Sequence, residues 1–342
     1  MNVRRLIPTA AVAGISALGL LTVSACSGAG AADGKSGDKL DVVASFYPMQ
    51  YLAETIGGKH VDVQTLTKPG VEPHDLEISP QQTGMLGESD VVLYLKGLQP
   101  AVDEAVEQSG AKHPVDAAEL TSLEKHGPGD GHDHGEEGHE GEADHGDDED
   151  ADADAHEGEE HDHDHGDENA ADPHVWLDPV KYGEIAEGVG KALGKADPDN
   201  ASYYEKNAEK LTDRLGTLDQ EFKDGLKNTR TKTFITTHTA FSYLAERYGL
   251  EQVGIAGVDP ESEPSPARMK ELQKIAREDK VSTIFFETLA SDRTAKTLAS
   301  DTGLKTDVLD PIEGINDQSR GDDYFGVMRA NLSALEKSLG AK

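Results

Sequence analysis

The chain of 342 residues carries 66 Asp and Glu against 32 Lys and Arg, a formal net charge of −34, and one cysteine. So acidic a balance argues against nucleic acid or an anionic membrane surface as partner. A lone thiol excludes both an internal disulfide and a thiolate zinc site.

At the N-terminus, "MNVRRLIPTAAVAGISALGLLTVSAC" has a basic pair, Arg4 and Arg5, and an apolar stretch running to Val23. Small residues then precede Cys26, the pattern of an export signal over 1–25 rather than of a membrane span. Val23-Ser24-Ala25-Cys26 resembles the lipobox of bacterial lipoproteins, which implies that Cys26 becomes the acylated first residue. Residues 26–39, rich in Gly, Ala, Ser and Asp, read as a flexible tether. No later segment is apolar enough to span a bilayer. The expected location is extracytoplasmic, lipid-anchored to a bacterial cell membrane.

From residue 40, short β-branched runs bounded by turn residues predict strands at 41–48, 61–67 and 90–97. Helical patterns lie near 48–57, 79–88 and 100–110. Later strands are predicted at 233–238, 251–257, 281–287 and 305–310, with helices near 240–249, 265–279 and 291–302. Such alternation on both sides of a middle section predicts an α/β protein of two parallel-sheet lobes. The lobes are expected at 40–196 and 229–342. Between them, 197–228 reads as one helix opened by Asp197-Pro198-Asp199. Its apolar stripe is Tyr204, Ala208, Leu211, Leu215, Leu218, Phe222 and Leu226, and at 1.5 Å per residue it is about 40 Å long. A single helix of that length is a stiff connector and predicts little lobe closure.

The first lobe is interrupted at 126–171. From His126 through Glu168 stand twenty acidic residues and no Lys or Arg. This insert has too little apolar surface to offset the entropy of ordering and is expected to be disordered without metal. Its histidines, among them His132, His134, His161, His163 and His165, suit weak, multiple capture of Zn, Cu or Ni with no geometry to select among them. The plainer reading is a solvated acidic linker.

Five histidines lie outside the insert. His60 and His113 sit beside lysines on expected surface turns and read as structural. His74 follows a strand in "KPGVEPHDLEISP", His174 lies in "ADPHVWLDP", and His238 ends "TFITTH". Asp310 ends the last predicted strand. In open α/β sheets ligands bind beyond the carboxyl ends of the strands. Three imidazoles and one carboxylate would make a closed four-coordinate zinc site, although spacing alone leaves each of these residues open as a ligand.

"GVEPHDLEISP", "DPHVWLDP", "THTAFSYLAERYGL" and "PSPARMKELQ" together resemble the motifs of the zinc/manganese solute-binding lipoproteins of ABC importers, from about Leu40 to the C-terminus. That resemblance implies metal held in the cleft between two lobes joined by a long rigid helix. It places His74 and His174 in the first lobe, and His238 and Asp310 in the second. The fourth ligand varies in that family, so Glu313 and Glu72 stand as secondary candidates. Glu287 is expected to orient a ligand histidine. Trp176 and Phe241, beside two ligands, are either cleft wall or plain core. Manganese-type members resemble this chain but tend to carry a carboxylate where His238 stands; imidazole there favours Zn2+.

The resulting expectation is a binding protein that captures Zn2+ and passes it to the membrane permease of an ABC importer, as a monomer and without catalysis. The alternatives are a manganese-binding relative and a surface zinc buffer or adhesin acting through the insert. A hydrolase is disfavoured, since neither a His-Glu-x-x-His helix nor a Gly-x-Ser-x-Gly elbow is present.

Overall fold

The first strand, β1 (Leu40–Ala44), is buried at every position but Asp41 and runs between β2 (Val61–Thr65) and β3 (Val91–Tyr94), all parallel. The structure, a computed structural model, describes residues 39–126 and 171–342. The export signal, the tether with Cys26, and His132, His134, His161, His163 and His165 lie outside the described residues. Helix α1 (Tyr47–Gly57) returns from β1. Ahead of β3 comes α2 (Pro80–Glu88), opened by a capping box in which Ser79 and Gln82 satisfy each other's backbone N–H groups. After α3 (Pro100–Ser109), a short β4 (Pro114–Asp116) adds to β3 and completes the order β2-β1-β3-β4.

The second sheet repeats this order. Strands β5 (Thr233–Thr236), β6 (Glu251–Gly254), β7 (Thr283–Phe286) and β8 (Lys305–Val308) are arranged β6-β5-β7-β8, again all parallel. Both lobes are therefore α/β layers with buried parallel sheets, as alternation predicted.

Two helices join the lobes. Helix α4 (Pro179–Ala196) was not legible as a periodic run, because Gly183, Gly188, Gly190 and Gly194 dilute its apolar face and lower its propensity. Those glycines serve packing: a Cβ at Gly190 would stand 2.8 Å from the Ala208 Cβ. Asp178 caps α4 by accepting from the Val180 and Lys181 N–H groups. Helix α5 (Ala201–Leu226) follows a 3-10 turn at Pro198–Asn200, so it begins four residues later than Asp197 suggested. All seven stripe residues from Tyr204 to Leu226 are buried.

The chain then continues through α6 (Ser242–Tyr248), α7 (Pro266–Glu278) and α8 (Arg293–Thr302), and closes with α9 (Tyr324–Leu339), a helix the sequence reading did not place. One apolar core runs through both lobes, from Leu40 and Trp176 through Leu215 and Phe222 to Phe234 and Leu335. Polar ties cross the same boundary. Trp176 Nε1 donates to the Pro311 carbonyl at 2.7 Å, and Tyr324 Oη donates to the Trp176 carbonyl at 2.7 Å. The connector is thus part of a shared core rather than an isolated strut. Among the described residues no helix is long and apolar enough to cross a membrane.

Candidate metal centre

His74 stands on the irregular segment between β2 and α2, and its backbone N–H is held by Glu72 Oε2 at 3.0 Å. His174 precedes the 3-10 turn Val175–Leu177 that leads into α4. His238 follows β5, and Glu313 lies beyond β8. The three imidazole Nε2 atoms converge on one oxygen, Glu313 Oε1, at 3.4, 3.2 and 3.4 Å for His74, His174 and His238. Glu313, His174 and His238 are buried, while the His74 side chain is 10 % exposed.

The outer ring nitrogens explain this convergence. His174 Nδ1 donates to Asp172 Oδ1 at 2.8 Å, and His238 Nδ1 donates to Glu287 Oε1 at 2.9 Å. A neutral ring whose Nδ1–H is committed outward presents a lone pair at Nε2. Lone pairs and a carboxylate oxygen facing one point repel unless a cation lies between them. The buried Nε2 of His238 and Oε2 of Glu313 also have no hydrogen-bond partner. Donors about 2.0–2.1 Å from a tetrahedral zinc lie about 3.3–3.4 Å apart, which is the spacing of these atoms.

Without metal, the groups of the cluster shift one another's affinity for protons. Burial opposes charge on His174, but Asp172 and Glu313 outweigh it and raise its pKa. His238 is raised well above the ordinary imidazole value, burial again being overcome by Glu287 and Glu313. Burial would raise Glu313, yet the three imidazoles hold it well below the usual carboxylate range. Burial pushes Glu72 up to about 7, with His74 opposing and Glu313 adding to the rise.

Asp310 does not join this group. Its carboxylate turns back on its own loop, accepting from Ile312 N at 2.8 Å, Ser319 Oγ at 2.9 Å and Thr288 Oγ1 at 3.2 Å. The turn is made by Ile312, whose φ of 61° lies in the left-handed region; beyond it the chain presents Glu313 to the histidines. The carboxylate in the four-residue group is therefore Glu313, a secondary candidate in the sequence, and not Asp310. Glu72 lies beside the group without supplying a donor to it, and Glu287 accepts from His238 Nδ1.

Asp172 was missed, although it stands two residues before His174 in the same motif. Trp176 is both core and wall: it is fully buried, its ring is 5.3 Å from that of His174, and it bonds the loop carrying Glu313. Phe241 packs on Phe234 within the core. His60 packs edge-on against Tyr203 and His113 is exposed, both away from the cluster.

Two parallel-sheet lobes sharing a core, with a buried three-histidine, one-carboxylate centre fed from both, define a metal-binding protein of the solute-receptor class. A family model for the periplasmic zinc-uptake complex component A, ZnuA, matches residues 42–338. The chain is 39 % identical over 328 residues to the high-affinity zinc uptake system protein ZnuA of Bacillus subtilis strain 168, covering 94 % of this chain and 95 % of that one. It is 34 % identical over 331 residues to the zinc-binding lipoprotein AdcA of Streptococcus pneumoniae strain R6, spanning 95 % of this chain but 60 % of that protein. A solved structure of the laminin-binding protein Lmb of Streptococcus agalactiae, described as a bifunctional protein with adhesin and metal-transporting activity, superposes with a TM-score of 0.71 at 30 % identity. That match covers 88 % of this chain and 99 % of Lmb. The chain belongs to the ZnuA family. Proteins of that family are zinc-binding components of uptake that work with ABC importers, and they are binding proteins rather than enzymes.

Proposed function

We propose that His74, His174, His238 and Glu313 together coordinate one Zn2+ outside the cytoplasmic membrane, and that the protein surrenders it to the importer's permease. Convergence of three Nε2 atoms on one carboxylate oxygen at 3.2–3.4 Å carries this reading. Three imidazoles with a single carboxylate favour zinc over the harder manganese. His74 and His174 come from the first lobe, His238 and Glu313 from the second, so a small displacement between them breaks the shell. His74 is the ligand positioned to leave first, being the only one of the four whose side chain is partly open to solvent.

The test is a competitive zinc titration of soluble protein beginning after Cys26, with and without residues 127–170. One tight site is expected in both forms and lost in His74→Ala. Disappearance of tight binding with the deleted segment would instead support a surface buffer acting through its histidines. Anchoring through acylated Cys26 and a monomeric state complete the proposal. Release of Cys26→Ala protein into the medium tests the first, and light scattering with and without zinc tests the second.

A further inference from the structure

A second group of donors includes the last described residues before position 127. Glu124, His126 and Glu246 offer one donor atom each, all within 4.8 Å of one another. His126 Nε2 is 3.2 Å from Glu246 Oε2, and its Nδ1 donates to Asp172 Oδ2 at 2.8 Å. Asp172 is thus used twice, since its other oxygen takes the Nδ1–H of His174 at 2.8 Å. One buried carboxylate orients two imidazoles, one with Nε2 in the cleft and the other with Nε2 among two surface carboxylates. Donating the remote N–H to a carboxylate fixes the tautomer and raises basicity at the metal-facing nitrogen, as is usual for metal-bound histidine.

The surroundings hold this arrangement in place. Tyr243 Oη accepts from Glu124 N at 2.7 Å and donates to the Asp172 carbonyl at 2.8 Å, and Asp172 N donates to the Glu124 carbonyl at 2.9 Å. The His126 ring stands edge-on to Tyr243 at 4.6 Å. Lys181 Nζ pairs with Glu124 Oε1 at 2.7 Å and offsets one of the two carboxylates. Glu124 and Glu246 nevertheless each bring a carboxylate oxygen within 4.8 Å of the other and of a His126 ring nitrogen, and two carboxylates so close favour a cation beside them.

We propose that Glu124, His126 and Glu246 form a second zinc site, weaker than the cleft, sharing Asp172 with it. One nitrogen and two oxygens suit Zn2+. Three protein ligands, with Glu246 largely exposed, leave the fourth position to water or to an incoming donor, so the site can accept and release its ion without lobe movement. In the sequence, His126 directly precedes the stretch 127–170, which is the richest in histidine.

The test is anomalous diffraction at the zinc edge on crystals of the chain with residues 127–170 intact, over a series of zinc concentrations. A peak about 2.0–2.2 Å from His126 Nε2 and from oxygens of Glu124 and Glu246 is expected, filling at higher zinc than the cleft. Glu246→Gln should empty it while leaving the cleft peak in place. Asp172→Asn should weaken both sites, by about 10–100-fold each. Crystals with a filled cleft and no density at His126 under excess zinc would overturn the proposal, as would a His126 peak indifferent to Glu246→Gln. A His126 peak with an empty cleft would uphold this site and count against the cleft instead.

Discussion

Glu287 gives the sharpest quantitative expectation. Its Oε1 accepts from His238 Nδ1 at 2.9 Å and from Thr237 Oγ1 at 2.6 Å, and Oε2 has no partner. Glu287→Gln keeps an acceptor for the imidazole and removes the charge. A charge-assisted hydrogen bond contributes about 1.5–3 kcal/mol and a neutral one about 1. The difference, on the order of 1 kcal/mol, corresponds to about a fivefold to tenfold loss of zinc affinity. Glu287→Ala removes the acceptor and frees the ring to change tautomer, so the loss should reach about 10–100-fold. Glu287 also holds the His238 pKa up, and without its charge protons compete less for Nε2. The Gln variant's deficit should therefore shrink as pH falls. Competitive chelator titrations at two pH values, with thermal unfolding of the metal-free proteins as a folding control, measure all three quantities. If both variants bind zinc as the parent does while His238→Ala does not, Glu287 does not act through the imidazole and the reasoning fails.

Glu313→Gln should lower zinc affinity by a hundredfold or more, whereas Asp310→Asn should mainly cost stability, about 1–3 kcal/mol for its loop hydrogen bonds; parallel titration and denaturant unfolding separate the two, and equal affinity losses would put Asp310 back among the donors. In the metal-free protein, the raised His174 and His238 pKa values mean stabilisation that is full below the unfolded imidazole value, about 6.5, and lost as pH rises through the folded values. Thermal unfolding in chelator should accordingly show stability falling above neutral pH. Zinc-loaded protein should show the opposite slope, because deprotonated rings bind the ion. Leu215→Ala, at a fully buried position of α5, should cost about 2–5 kcal/mol with zinc affinity unchanged; a large affinity loss would mean that the shared core sets the cleft geometry directly.

Much of the fold is written in local pattern. Strand and helix alternation is visible because buried parallel strands need short β-branched runs and their crossovers need periodic faces. The α5 stripe from Tyr204 to Leu226 is visible because one helix face is buried along its whole length. His74, His174 and His238 stand out through the motifs "GVEPHDLEISP", "DPHVWLDP" and "THTAFSYLAERYGL" that carry them, each in a loop beside a regular element. Helix α4 was hidden because its packing uses glycine, which carries no hydrophobic signal. Tertiary structure alone decided the carboxylate. Asp310 and Glu313 are three residues apart and chemically alike, and only the left-handed turn at Ile312 sends one side chain back to its own loop and the other to the histidines. The sharing of Asp172 between His126 and His174 was equally out of reach. It depends on residues 46 positions apart in the sequence meeting in space, and no local pattern records such a contact.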